Sequence, residues 1–114
     1  MESTDPESAV FAALADPVRR QILGWLRGRP LPVGALVERL PLTQPAVTKH
    51  LGVLERAGLI RRRPEGRRRI CELSPAGFRV AEGFLRGFRR VSATAPDQPV
   101  AATDRPADDG PDRG

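Results

Sequence analysis

The stretch from Leu42 to Ile60 constrains this chain more than any other. Thr43 can cap a helix, and Pro45 is tolerated in its first turn. Val47, Leu51 and Leu54 then recur at i, i+4 and i+7, which places them on one helical face. Gln44, Thr48, Lys49 and Glu55 fall on the other face, and Gly58 stands where a left-handed C-cap would end the helix. A short helix with an apolar inner face and Gln, Thr and Lys outward has the side chains that read base edges in a major groove.

The elements before it complete a recognisable unit. Asp5-Pro6 reads as a cap plus a first-turn proline, opening a helix to about Ala15 with Val10, Phe11 and Leu14 as its apolar residues. Asp16-Pro17 repeats the signal for a second helix to about Arg27, carrying Val18, Ile22, Trp25 and Leu26, and Gly28-Arg29-Pro30 ends it. Val33, Leu36, Val37 and Leu40 mark a third short helix. Only Pro41-Leu42 separates it from the Thr43 helix, so the two form a helix-turn-helix.

After Gly58 the period changes. Leu59 to Pro64 and Arg67 to Leu73 read as two strands joined through Glu65-Gly66, with Cys71 and Leu73 on one face and Ile70 and Glu72 on the other. Arg61, Arg62, Arg63, Arg67, Arg68 and Arg69 crowd this hairpin. Ser74-Pro75 caps a last helix to about Val91, with Phe78, Ala81, Leu85 and Phe88 in a stripe and Phe84 beside it. The expected architecture is mainly α with a small β-hairpin, a winged helix-turn-helix of five helices and a two-stranded wing. Its expected organisation is an N-terminal arm (1–8), a DNA-binding and dimerisation domain (9–91) and a disordered acidic tail (92–114).

Charge supports a polyanionic partner. Residues 9–91 hold sixteen arginines and Lys49 against six acidic residues, a net of +11, while residues 1–8 and 92–114 carry −3 each. Codon bias can favour Arg over Lys but does not explain the scarcity of Asp and Glu in the basic segment. Such a surplus attracts polyanions over a long range. The chain has a single cysteine, Cys71, and no run long enough for a secretory or membrane segment, so a cytosolic location is expected.

Four blocks in order carry a resemblance to a known family: Leu14-Ala15-Asp16-Pro17-Val18-Arg19-Arg20-Gln21-Ile22-Leu23, Gln44-Pro45-Ala46-Val47-Thr48-Lys49-His50-Leu51, Arg56-Ala57-Gly58-Leu59-Ile60, and Glu65-Gly66-Arg67. Together they resemble the ArsR family of bacterial winged helix-turn-helix repressors. The resemblance implies a homodimer paired through its first and last helices, with the fourth helix in the major groove and the hairpin as a wing. It does not imply a metal sensor. The cysteine-rich motif of metal-sensing members is replaced by Leu31-Pro32-Val33-Gly34-Ala35-Leu36, and the last helix offers only Glu82. One His and one Cys cannot assemble a soft-metal site within a subunit.

The residues expected to meet DNA are Thr43, Gln44, Thr48, Lys49 and His50 on the helix and Arg67 and Arg68 at the wing tip. His50 can equally pack within the fold. Cys71 reads as a small buried apolar residue, the alternative being a redox sensor if it is exposed and its pKa is lowered. The hairpin arginines could merely protect a strand edge. Val10, Phe11 and Leu14 with Phe84, Leu85 and Phe88 are assigned to dimerisation, because a small core has little room for both sets. Gly77, Gly83 and Gly87 weaken the last helix in isolation and permit close approach of a partner helix. No catalytic set and no cofactor motif is present, and an effector is not identifiable. The rival to a dimeric, sequence-specific repressor is a winged-helix module whose basic face docks an acidic protein.

Overall fold

A computed structural model describes residues 5–94. Among the described residues, six helices and three strands follow in the order α1 (Pro6–Leu14), α2 (Pro17–Leu26), β1 (Leu31–Pro32), α3 (Val33–Arg39), α4 (Gln44–Arg56), β2 (Ile60–Glu65), β3 (Arg68–Leu73), α5 (Pro75–Arg86) and α6 (Arg89–Thr94).

Local chemistry sets the helix starts. The Asp5 carboxylate accepts from Ser8 N at 3.1 Å, and Asp16 accepts from Val18 N at 2.8 Å and Arg19 N at 3.2 Å. Thr43 Oγ1 accepts from Ala46 N at 3.3 Å. Each bond satisfies an amide that the first helical turn leaves without a partner. Ser74 occupies the equivalent position before α5 but makes no side-chain cap bond. At the other end of α4, Gly58 adopts φ 76°. There Leu59 N donates to Leu54 O at 3.0 Å and Gly58 N to Glu55 O at 3.0 Å, the paired closure of a Schellman C-cap.

The core gathers one face from every helix through α5. Ile22, Leu36, Val47, Leu51, Leu54 and Leu59 are fully buried at its centre. Burying each aliphatic side chain is worth about 1.5–3 kcal/mol relative to leaving it in water. Val47, Leu51 and Leu54 are the inward face of α4, as their spacing requires.

The sheet departs from the expected two-stranded wing. It has three antiparallel strands in the order β1-β3-β2, with Leu31 opposite Cys71, Pro32 opposite Ile70 and Arg62 opposite Cys71. Two residues are too few to show alternation, so β1 leaves no periodic signal. Pro32 is accommodated because it lies on an edge strand, where a missing N–H breaks no internal ladder. Ile70, on the face it shares with Glu72, is 4% exposed and stands opposite Pro32 of β1.

The last helix also differs. A single helix to Val91 is expected, but α5 stops at Arg86. Gly87 N and Phe88 N there bond Phe84 O and Leu85 O in the tighter three-residue pattern. Glycine at 87 costs about 1 kcal/mol against alanine in a helix interior, which favours the break at this point. The sixth helix then runs to Thr94, three residues into the segment assigned to the tail. The rest of that tail, and residues 1–4 of the arm, lie outside the described residues.

Among the described residues no helix is long and apolar enough to cross a membrane. No group of three or more His, Cys, Asp and Glu side chains among them is placed to hold a metal ion.

Candidate nucleic-acid interface

The exposed face of α4 presents Gln44, Thr48 and Lys49 side by side around one shallow hollow. None of the three makes a side-chain hydrogen bond or ion pair among the described residues, so their polar groups are open to a partner. A second depression, of about 410 Å³, runs from this helix to the wing. Gln44 and Thr48 form one wall and Arg62, Arg67, Arg68 and Arg69 the other, with Pro32, Val33 and Gly34 completing it. The wing tip and the helix face, far apart in sequence, therefore line one basic groove. Thr43 is exposed beside it, but its oxygen is already engaged in capping α4.

The six hairpin arginines divide into two groups. Arg61 and Arg63 both pair with Glu72, Arg63 at 3.3 Å, and Arg62 reaches Glu55 on α4 at 2.6 Å. These pairs hold the Glu72 and Glu55 carboxyls below the usual carboxylate range, chiefly through hydrogen bonds from the guanidinium groups. Arg62 thus braces the base of the wing against the end of α4. Arg67 has no partner among the described residues, Arg69 has only the distant field of Glu55, and Arg68 meets Glu65 at a loose 3.7 Å. Gly66, at φ 64°, makes the turn that leads into this loosely paired group.

His50 does not join the groove. It is half-buried on the α2 side of α4, where its Nδ1 lies 3.2 Å from an Arg19 guanidinium nitrogen. Arg19 also donates to the carbonyls of Ala13 at 2.9 Å and Ala12 at 3.1 Å, and lies 3.8 Å from Asp16. One guanidinium thus closes the end of α1, the start of α2 and the middle of α4. This position gives His50 a partner within the fold and sets it outside the residues that line the groove.

Cys71 is completely buried between Leu31 and Arg62 in the sheet. Burial pushes its thiol up to about 11, outweighing the nearby Arg62 charge. That is the reverse of the exposed, acidified thiol a redox sensor needs.

The apolar surface assigned to dimerisation is only partly free. Val10 is 1% exposed and belongs to the protomer core, which removes it from any partner surface. Phe11 already packs on Phe84 of the same chain, edge to face, with ring centroids 5.5 Å apart. Helices α1 and α5 therefore pack on one another within one protomer, and Leu14 is half-buried against the core. What remains is a stripe along α5, the turn after it and α6: Phe84, Leu85, Phe88 and Val91 are 43%, 57%, 51% and 63% exposed.

A helix-turn-helix domain family matches residues 14–63, from the end of α1 to the wing. A transcriptional regulator of Mycobacterium tuberculosis, Rv2034, is 49% identical over 78 residues, covering 68% of this chain and 73% of the relative. A crystal structure of an ArsR family transcriptional regulator has a TM-score of 0.70 at 32% identity, covering 83% of this chain and all of the other. This chain belongs to the ArsR family of winged helix-turn-helix transcriptional regulators. Two further relatives differ in their regulatory sense. The repressor SdpR of Bacillus subtilis is 37% identical over 51 residues, 45% of this chain and 57% of its own length. The activator HlyU of Vibrio cholerae is 39% identical over 75 residues, 65% of this chain and 69% of its own length.

In this ArsR-family regulator some bracing and groove-lining residues are not revealed by sequence pattern alone. Arg19 and Arg62 brace the helix face and the wing, and each does so through a partner 31 or 7 residues away. Arg69 lines the groove as directly as Arg67 and Arg68. Within a run of three arginines, nothing in the order of residues tells which will find a carboxylate.

Proposed function

We propose that this ArsR-family protein is a dimeric, sequence-specific repressor that occupies an inverted repeat in a bacterial promoter and acts in the cytosol. The observation that carries the reading is the continuous groove from Gln44 and Thr48 to Arg67, Arg68 and Arg69. Gln44 can pair bidentately with adenine, and Lys49 suits guanine or phosphate. Thr48 supplies a short donor and acceptor to either. Arg67, Arg68 and Arg69 grip phosphates or enter the minor groove beside the helix. Thr43 contributes by fixing the start of α4 rather than by reading a base.

The dimer rests on the uncovered stripe of Phe84, Leu85, Phe88 and Val91. A second copy related by a two-fold axis would cover it and place two α4 helices on one side of the pair. Repression then follows from occupying promoter DNA, as the name of SdpR indicates for that relative; the name of HlyU makes activation the alternative sense. The arginines at the wing tip favour DNA over an acidic protein partner, because they flank Gln44 and Thr48, uncharged groups that can hydrogen-bond base edges.

Selection from a pool of randomised duplexes tests the reading. An enriched inverted repeat with half-site centres about 10 base pairs, ~34–36 Å, apart is the expected result. Recovery of no preferred sequence would support the protein-docking alternative, and placing the selected site across a promoter in a reporter strain separates repression from activation.

A further inference from the structure

On the side of the protomer where α2 meets α5, away from the basic groove, lies a cavity of about 420 Å³. Leu23, Leu73 and Phe78 form its apolar floor, and Arg20, Arg27 and Glu82 stand at its rim. Gly24 lines this space without a side chain to enter it. A Cβ built on Gly24 meets nothing within 4 Å, and mid-helix glycine is otherwise a cost of about 1 kcal/mol against alanine. The volume falls in the range of about 300–1,000 Å³ typical of small-molecule sites, and an apolar lining with a few charged groups is their usual composition.

The charges select the ligand class. Arg20 is held by one bond, donating to Leu14 O at 2.7 Å, which leaves most of its fork free. Arg27 has no side-chain partner among the described residues. Two guanidinium groups against the single Glu82 carboxylate leave a surplus of one positive charge over an apolar floor. We infer that this cavity binds an amphipathic organic anion, its hydrocarbon body on Leu23, Leu73 and Phe78 and its carboxylate at Arg20 and Arg27. The site shares α2 with Arg19, the residue that bonds His50 on α4, so its occupant rests on a helix braced to the DNA-facing one.

The test is direct and needs no DNA. Calorimetric titration of the full-length protein uses octanoate as the anionic probe and octylammonium as its charge-reversed counterpart. Octanoate should bind with a Kd below about 1 mM, and octylammonium at least about tenfold more weakly. Gly24→Leu, which fills the cavity with a better helix former, should weaken octanoate binding by at least about tenfold without changing sedimentation. Arg27→Glu, at an exposed position without a side-chain partner among the described residues, should do the same. Equal binding of the two probes, absence of octanoate binding, or octanoate binding undiminished in both variants would overturn the proposal. A Gly24→Leu protein with altered dimerisation would also overturn it, by assigning the cavity to a second copy.

Discussion

The Arg19 guanidinium lies 3.2 Å from His50 Nδ1, joining the start of α2 to the middle of α4. The contact turns His50 away from the groove and makes it part of the support for the face that Gln44, Thr48 and Lys49 present. Arg19→Ala removes that link and the bonds to Ala12 and Ala13 together; Ala12 O keeps the bond from Ala15 N, whereas Ala13 O loses its side-chain donor. A loss of about 1–3 kcal/mol in chemical denaturation is expected, with DNA affinity falling alike on specific and random duplexes. His50→Ala leaves those carbonyls bonded to Arg19 and should cost less. A His50 variant that alters base preference while keeping its stability would return the residue to base readout.

The glycines of α5 should answer oppositely to alanine. A Cβ at Gly77 would lie 2.5 Å from Ala57 O and 2.8 Å from Leu59 Cδ2, and Gly77 N already donates to Gly58 O at 2.7 Å. Close helix approach here serves the protomer itself. Gly77→Ala is therefore expected to destabilise by roughly 1–3 kcal/mol through overpacking. At Gly83 a Cβ meets nothing within 4 Å, so Gly83→Ala should raise stability by up to about 1 kcal/mol. Thermal unfolding of the two variants checks the signs.

The Arg62 bond to Glu55 predicts an acid-labile wing base. Hydrogen bonding from Arg62 lowers the Glu55 pKa below its ordinary value of 4.5. Its contribution is thus fully present above that value and is lost as pH falls through the lower folded-state pKa. Glu55→Gln should lower stability at neutral pH, where the carboxylate contribution is present, and approach the parent as pH falls, so its acid profile is flatter. Urea denaturation across that range provides the measurement, and a variant with the parent's acid slope would show that Glu55 is not a source of it.

Assembly is tested at Phe88, which is 51% exposed on the stripe. Phe88→Asp places a charge in the expected interface while disturbing little of the protomer core. Sedimentation should give a monomer, with operator affinity lost by orders of magnitude, since one half-site alone binds weakly. A parent protein already monomeric at tens of micromolar, yet bound tightly to DNA, would refute the two-fold arrangement.

Much of the fold was legible because it rests on local signals. Asp5, Asp16 and Thr43 announce their helices by capping chemistry, the Val47-Leu51-Leu54 face follows from period, and Gly58 and Gly66 take the positive φ their turns require. Long-range pairing was not legible. The strand at Leu31-Pro32 exists only through β3, and Val10 is core only because α1 folds back over α4 and α5 within the protomer. The same limit applied to the site. Spacing showed that Gln44, Thr48 and Lys49 face outward, but not that His50 is taken by Arg19 or that Arg61, Arg62 and Arg63 are matched by Glu72 and Glu55. Those partners meet only after the hairpin and helices have closed.

The most direct test of base readout from α4 is a salt-titrated affinity measurement on the selected operator and on a scrambled duplex. Gln44→Ala and Thr48→Ala should each cost about 1–3 kcal/mol on the operator and clearly less on the scrambled duplex, with unchanged salt slopes. Arg67→Ala should weaken both duplexes alike and reduce the salt slope by about 1, as loss of one phosphate contact requires. Equal losses on both duplexes for Gln44→Ala and Thr48→Ala would contradict the account, because the helix face would then be gripping the backbone rather than reading bases.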